Sequence, residues 1–230
     1  MAKAEHYLLL DSETTLLGNP YDLAAIVTNK RGEILHQLAV IVADYADQPL
    51  FYDIRNPAWS LENAEKKKGN YALMLQNGQR TRASIAAVNK WLMMAISKYP
   101  GIYLTAYNLS FDYNVLNKAA IDLMPFTNRF CLWHAACNIL AGKKYYNFAL
   151  AHHYFNDRTK KGNMTIQTNA ERMAHYVKGY YQEEQHTALS DVIDFELPIL
   201  KKIVNSKGWK NKLEKPYNWN DFIVRDKYKA

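Results

Sequence analysis

Tyr7-Leu8-Leu9-Leu10 is an unbroken apolar run that stops on Asp11-Ser12-Glu13. A strand wetted on one face alternates apolar and polar residues, whereas a strand covered on both faces does not. A run of strand length that is apolar throughout therefore asks for a central strand with packing on each side. That demand is met by a layered fold, with helices on the two faces of a sheet. The acids at the end of the run add a second constraint. Residues i and i+2 of a strand point to one face, so Asp11 and Glu13 leave it side by side. Like charges brought together at the edge of a core need a positive partner.

The pattern downstream agrees with a mixed α/β sheet flanked by helices: three leading strands, partly antiparallel, then strand-helix units. Asp22 to Thr28 and Glu33 to Val42 are rich in Val, Ile and Leu, and Asn29-Lys30-Arg31-Gly32 between them is a hairpin turn signal. Residues 44 to 82 read as an excursion with a short helix near Leu61 to Leu75. Ser84 to Lys98 has the helical spacing Ile85, Val88, Leu92, Ile96, and Pro100-Gly101 ends it. A strand at Ile102 to Ala106 and a helix at Phe111 to Ala120 follow. Phe130 to Trp133 reads as a strand and His134 to Leu140 as a helix. Thr168-Asn169-Ala170-Glu171 opens a capped helix. Thr187 to Val204 is a helical pattern that Pro198 should kink or split.

The 230 residues suit one domain with a large core. We assign 1–206 to it and set apart a basic, aromatic tail at 207–230. The net charge of +7 comes in clusters such as Lys66-Lys67-Lys68, Lys143-Lys144 and Lys201-Lys202, which favours a polyanionic partner. The two cysteines, Cys131 and Cys137, match neither a zinc pattern nor a disulfide framework. They are expected to be reduced thiols of a cytoplasmic protein. No apolar stretch is long enough to span a bilayer, so no membrane partner is expected.

Further acidic segments stand out. Asn108-Leu109-Ser110-Phe111-Asp112 follows the strand at Ile102, which puts Asp112 in a first helical turn beside a strand end, where open α/β sheets bind ligands. Phe111 is expected to anchor that helix in the core. His186-Thr187-Ala188-Leu189-Ser190-Asp191 joins a loop to a long amphipathic helix, and His152 to Asp157 repeats the spacing as a competitor. Asp194-Phe195-Glu196 is a second Asp-x-Glu triplet. In a helix i and i+2 diverge, so this pair is expected on a solvated face. Carboxylates that converge only on folding suit hard divalent cations.

Leu10-Asp11-Ser12-Glu13-Thr14-Thr15, Ala106 to Asp112 and His186 to Asp191 together resemble the three motifs of the DEDDh group, the DnaQ-like 3′-to-5′ exonucleases. The resemblance implies a ribonuclease H-like fold. It implies that Asp11, Glu13, Asp112 and Asp191 hold two divalent cations, Mg²⁺ or Mn²⁺, and that His186 is the general base. It places Thr14 and Thr15 near the sugar of a terminal nucleotide and Leu16 near its base, with Asn108 adding a polar contact or holding its own loop. The implied substrates are 3′ ends of single-stranded DNA or RNA, released as mononucleotides. A polymerase or other protein partner stays open. The alternatives are an RNA-specific trimming exoribonuclease and a non-catalytic nucleic-acid-binding module.

Overall fold

The computed structural model describes residues 5–55, 60–156, 162–213 and 218–225. At its centre lies β1 (His6–Thr14), antiparallel to β2 (Pro20–Asn29), which is antiparallel to β3 (Ile34–Val42). Three short parallel additions complete a six-stranded sheet: β4 (Thr81–Ala83) beside β3, β5 (Tyr103–Ala106) beside β1, and β6 (Asn128–Cys131) beside β5. The strand order is β4-β3-β2-β1-β5-β6. Among the described residues no helix is long and apolar enough to cross a membrane.

The apolar run has the surroundings its pattern requires. Tyr7, Leu8, Leu9 and Leu10 are all buried, and they divide between two cores by strand parity. Leu8 and Leu10 face one layer with Val88 and Leu92 of α2 (Ile85–Lys98) and Leu116 of α3 (Leu109–Lys118). Tyr7 and Leu9 face the other, with Ala135 of α4 (Leu132–Ile139), Ala149 of α5 (Lys143–Ala151) and Met173 of α6 (Ala170–Lys178). Each fully buried leucine contributes about 1.5–3 kcal/mol. The helix starts follow local chemistry: Ser84 accepts from the amide of Ala87, and Asn169 from that of Arg172.

The segment 188–204 is one helical rod in three parts: α7 (Ala188–Ser190), a π-helical stretch over Asp191–Glu196, and α8 (Leu197–Val204). The expected split falls beside Pro198, which sits in the first turn of α8 just after the widened stretch. Proline has no N–H for the carbonyl four residues back and its ring crowds that carbonyl. The freed oxygen belongs to Asp194 and accepts instead from Lys178 Nζ at 3.2 Å. Upstream, Leu197 N–H reaches back five residues to Val192 O, the bond that defines a π-turn.

From Lys207 onward the described chain is packed onto this domain. Trp209 of α9 (Trp209–Leu213), Phe222 and Val224 are buried in the core that contains Tyr7 and Leu9.

The excursion is tied down by a buried ion pair. After α1 (Leu61–Gln76), Arg80 donates to both carboxylate oxygens of Asp22 on β2, at 2.9 and 3.3 Å. Asp22 is 0 % exposed, and one of its oxygens also accepts from Ala188 N–H at 3.0 Å. Removing one partner of such a pair leaves an uncompensated charge in the interior. Arg80→Met is expected to cost about 3–5 kcal/mol in urea unfolding, and adding Asp22→Asn should recover much of it. A loss no larger than that of a surface ion pair would show the pair to be dispensable.

Candidate functional site

Five carboxylates meet outside the carboxyl ends of β1 and β5. The last residues paired between these two strands are Leu9 and Thr105, so beyond them β1 runs on towards Asp11 and Glu13 with β2 alone as its neighbour. Asp112 arrives in the first turn of α3 and is buried. Ser12 Oγ donates to Asp112 Oδ1 at 2.8 Å, which locks the second segment to the first. Asp191, also buried, opens the π-helical stretch and accepts from Ser190 Oγ at 3.1 Å.

The fifth is Glu196, and here the sequence-based expectation is corrected. Glu196 is only 3 % exposed, and its Oε2 has no hydrogen-bond partner among the described residues. Asp194 is half-buried, so the two acids do diverge, but Glu196 turns inward. Five residues of a regular α-helix span about 500°, leaving the ends about 140° apart. The wider turn narrows that angle and puts Asp191 and Glu196 on one side. Pro198 lies immediately after this wider turn.

Burial pushes all five carboxyls above the ordinary range, and their mutual repulsion adds to it. Asp112 is raised to about 7 and Asp191 to about 9 by burial, while Asp11 and Glu196 are raised well above their usual values. Glu13 is raised by burial against the opposing pull of Lys67. Lys67, on α1, lies 2.9 Å from Glu13 Oε2. Glu184, on the loop before the third segment, is raised to about 7, chiefly by burial.

His186 has a left-handed backbone (φ +52°). Glu13, His186 and Asp191 each offer one donor atom, all within 4.8 Å of one another. Burial and the charge of Lys67 hold the imidazole below its ordinary value. The competitor His152 caps α5 and packs on Phe148, Tyr154 and His175, with ring centroids 4.4–5.4 Å away. Asp157 lies outside the described residues.

A cavity of about 570 Å³ opens beside these groups, between β1, α1 and the loop that ends at Thr187. Glu13, Thr14 and His186 line it. Thr15 does not; it is fully buried and its Oγ1 accepts from Asn19 N–H at 3.1 Å, closing the turn after β1. Leu16 is exposed and is not part of the lining, its amide bound to Pro49 O. Asn108 also stands outside the lining; with φ +73° it opens α3, and its side chain accepts from Ser110 Oγ.

Sequence reasoning missed four positions. Phe111 was expected in the core but is 47 % exposed and lines the cavity. Phe51 also lines it, since its amide donates to Thr14 O and draws the excursion alongside β1. Lys67 and Glu196 are the others. The placement of Phe111 beside Asp112 was the one local signal; the rest depend on distant contacts. In α5, Tyr145 is buried and donates to Gln167 O, and Tyr146 and Phe148 are partly buried against the same core.

The donors suit a cation such as Mg²⁺ or Mn²⁺: carboxylate oxygens with one imidazole, and a buried carboxylate oxygen without a partner. Neither a family model nor a curated protein sequence matches the chain. A functional reading therefore rests on these side chains.

In metal-free buffer the cluster should destabilise the protein as pH rises. Carboxyls with raised values keep protons in the folded state that the unfolded chain has released. Their stabilising contribution is complete below about pH 4 and is lost as pH climbs through about 7 for Asp112 and about 9 for Asp191. His6, His175 and His186 are held low and act in the opposite sense in the acid range. The decline is therefore best read from pH 7 to 9. Melting temperatures in EDTA should fall across that window, and less steeply for Asp191→Asn. A rise with pH would contradict this account.

Proposed function

We propose that the protein is a metal-dependent 3′-to-5′ exonuclease of the DEDDh, DnaQ-like kind, acting on single-stranded nucleic acid and releasing mononucleotides. One observation above all supports this reading. Asp11, Glu13, Asp112 and Asp191 come from three distant segments and converge, with His186 beside two of them. The mixed six-stranded sheet flanked by helices is compatible with a ribonuclease H-like fold.

Asp11, Glu13, Asp112 and Asp191 would hold the cations, with Glu196 behind them. Bound there, divalent cations supply Lewis-acid activation of a water and offset charge on the departing 3′ oxygen. The chain's own groups do the rest. The neutral imidazole of His186, held low by burial, accepts the proton of the attacking water at a ring nitrogen. Ser12 fixes the Asp112 carboxylate. Thr14, at the rim of the carboxylates, faces the cavity in which the terminal nucleotide would sit. Phe51 and Phe111 line that cavity too, and exposed rings give sequence-tolerant stacking surfaces.

The test is digestion of end-labelled DNA and RNA single strands with Mg²⁺ or Mn²⁺. Hydrolysis should stop with chelator and in Asp11→Asn, a variant that should also melt higher because repulsion is relieved. His186→Ala should slow the chemical step by about 10²–10⁴-fold. The ratio of DNA to RNA rates decides sugar preference. Asp11→Asn digesting at the unmodified rate would remove the site assignment, and a circular strand cut as readily as a linear one would remove the exonuclease reading.

A further inference from the structure

Lys67 stands where a cation would bind. Its ammonium lies 2.9 Å from Glu13 Oε2, and the two side chains are 18 % and 16 % exposed. Glu13 is one of the three groups whose donor atoms cluster within 4.8 Å, with His186 and Asp191. The charge of Lys67 also acts on Asp191 and Glu184. An ammonium and a divalent ion cannot share the Glu13 oxygen at contact distance without strong mutual repulsion.

The helix that carries Lys67 is tied to the rest of the fold at a few points, Ala64 and Tyr71 being its buried residues. Next along it, Lys68 donates to Gln48 O at 3.1 Å. Tyr71 is fully buried, its ring 5.3 Å from that of Tyr21. The following turn is closed by Arg80 N–H on Met74 O and by the Arg80–Asp22 pair. The four-carbon stem of Lys67 lets the ammonium move without displacement of the helix backbone. Lys67 lines the same cavity as Glu13, Thr14 and His186. A phosphate entering beside Thr14 is therefore a second anion within the reach of that stem.

We propose that Lys67 couples divalent-cation binding to nucleotide binding. It is the resident counter-cation of Glu13 in the metal-free protein, and a phosphate in the cavity draws it off and opens Glu13 to the cation. The inference deepens the nuclease reading and rests on it for the nature of the ligand. Two effects follow. Without nucleotide, Lys67 competes with the cation. With nucleotide, the competition is relieved, and by linkage the cation strengthens nucleotide binding by the same factor.

Calorimetric titration of Mn²⁺ into the full chain tests this, with and without adenosine 5′-monophosphate, for the unmodified protein, Lys67→Met and Lys67→Arg. Melting curves establish that each variant folds. Lys67→Met should bind Mn²⁺ alone about tenfold more tightly, within the usual span of coupling between sites. Its gain from the nucleotide should be smaller than that of the unmodified protein. Direct pairing of Mn²⁺ with the nucleotide is common to all three proteins and cancels in the comparison. Lys67→Arg keeps the charge and should stay near the unmodified protein. Equal or weaker Mn²⁺ binding by Lys67→Met overturns the proposal, as does an undiminished nucleotide effect. Tighter Mn²⁺ binding with a reduced nucleotide effect, in a chain that digests no strand, would leave the coupling standing and remove only the nuclease reading.

Discussion

The carboxylate of Asp22 holds the site together. It lies directly across the β1–β2 ladder from Glu13, a placement that would be repulsive if both charges were left alone. Arg80 takes two bonds from one side and Ala188 N–H takes a third from another. One buried group thus joins β2, the end of the excursion and the start of the third acidic segment. It acts together with Ala188 and Val192, which are buried in the same core as Tyr7 and Leu9 and bring the third segment up to β1. The arrangement also explains how β2 can be buried along nearly its whole length while containing an acid.

A second dependence runs through Pro198. The missing N–H frees one carbonyl, Lys178 fills it, and the turn before it widens. Widening rotates Glu196 into the carboxylate cluster, where its Oε2 finds no protein donor. A buried acceptor without a donor is costly, and π-turns are frequent at functional sites for this reason: they re-aim a side chain that regular geometry would send elsewhere. The share of Glu196 in the repulsion within the cluster goes with the local distortion of the rod beside Pro198.

Much was legible in the chain because the signals were local. The run at Tyr7–Leu10 announced a doubly covered strand, Asn29 to Gly32 a hairpin, and Ser84 and Asn169 the starts of helices. The short helix expected near Leu61 to Leu75 is α1, and β2, β3, β5 and β6 fall within a few residues of their expected bounds, while β4 was not expected. The spacing of Asp11 and Glu13 placed them together because a strand repeats every two residues. That Asp112 and Asp191 join them came from motif order and resemblance, not from any periodicity.

The sequence by itself determined the layered α/β character, the central strand and the acids at its end, since these follow from hydrophobic pattern and strand geometry over a few residues. Only the tertiary structure decided that Glu196 is inside, that Phe111 faces the cavity, that Thr15 closes a turn, and that Lys67 meets Glu13. Each of these depends on a partner far along the chain or on a small change in helical rotation. Local pattern reports which residues are apolar and how often they recur; which face of an element meets which neighbour is set by packing, and packing is a property of the folded whole.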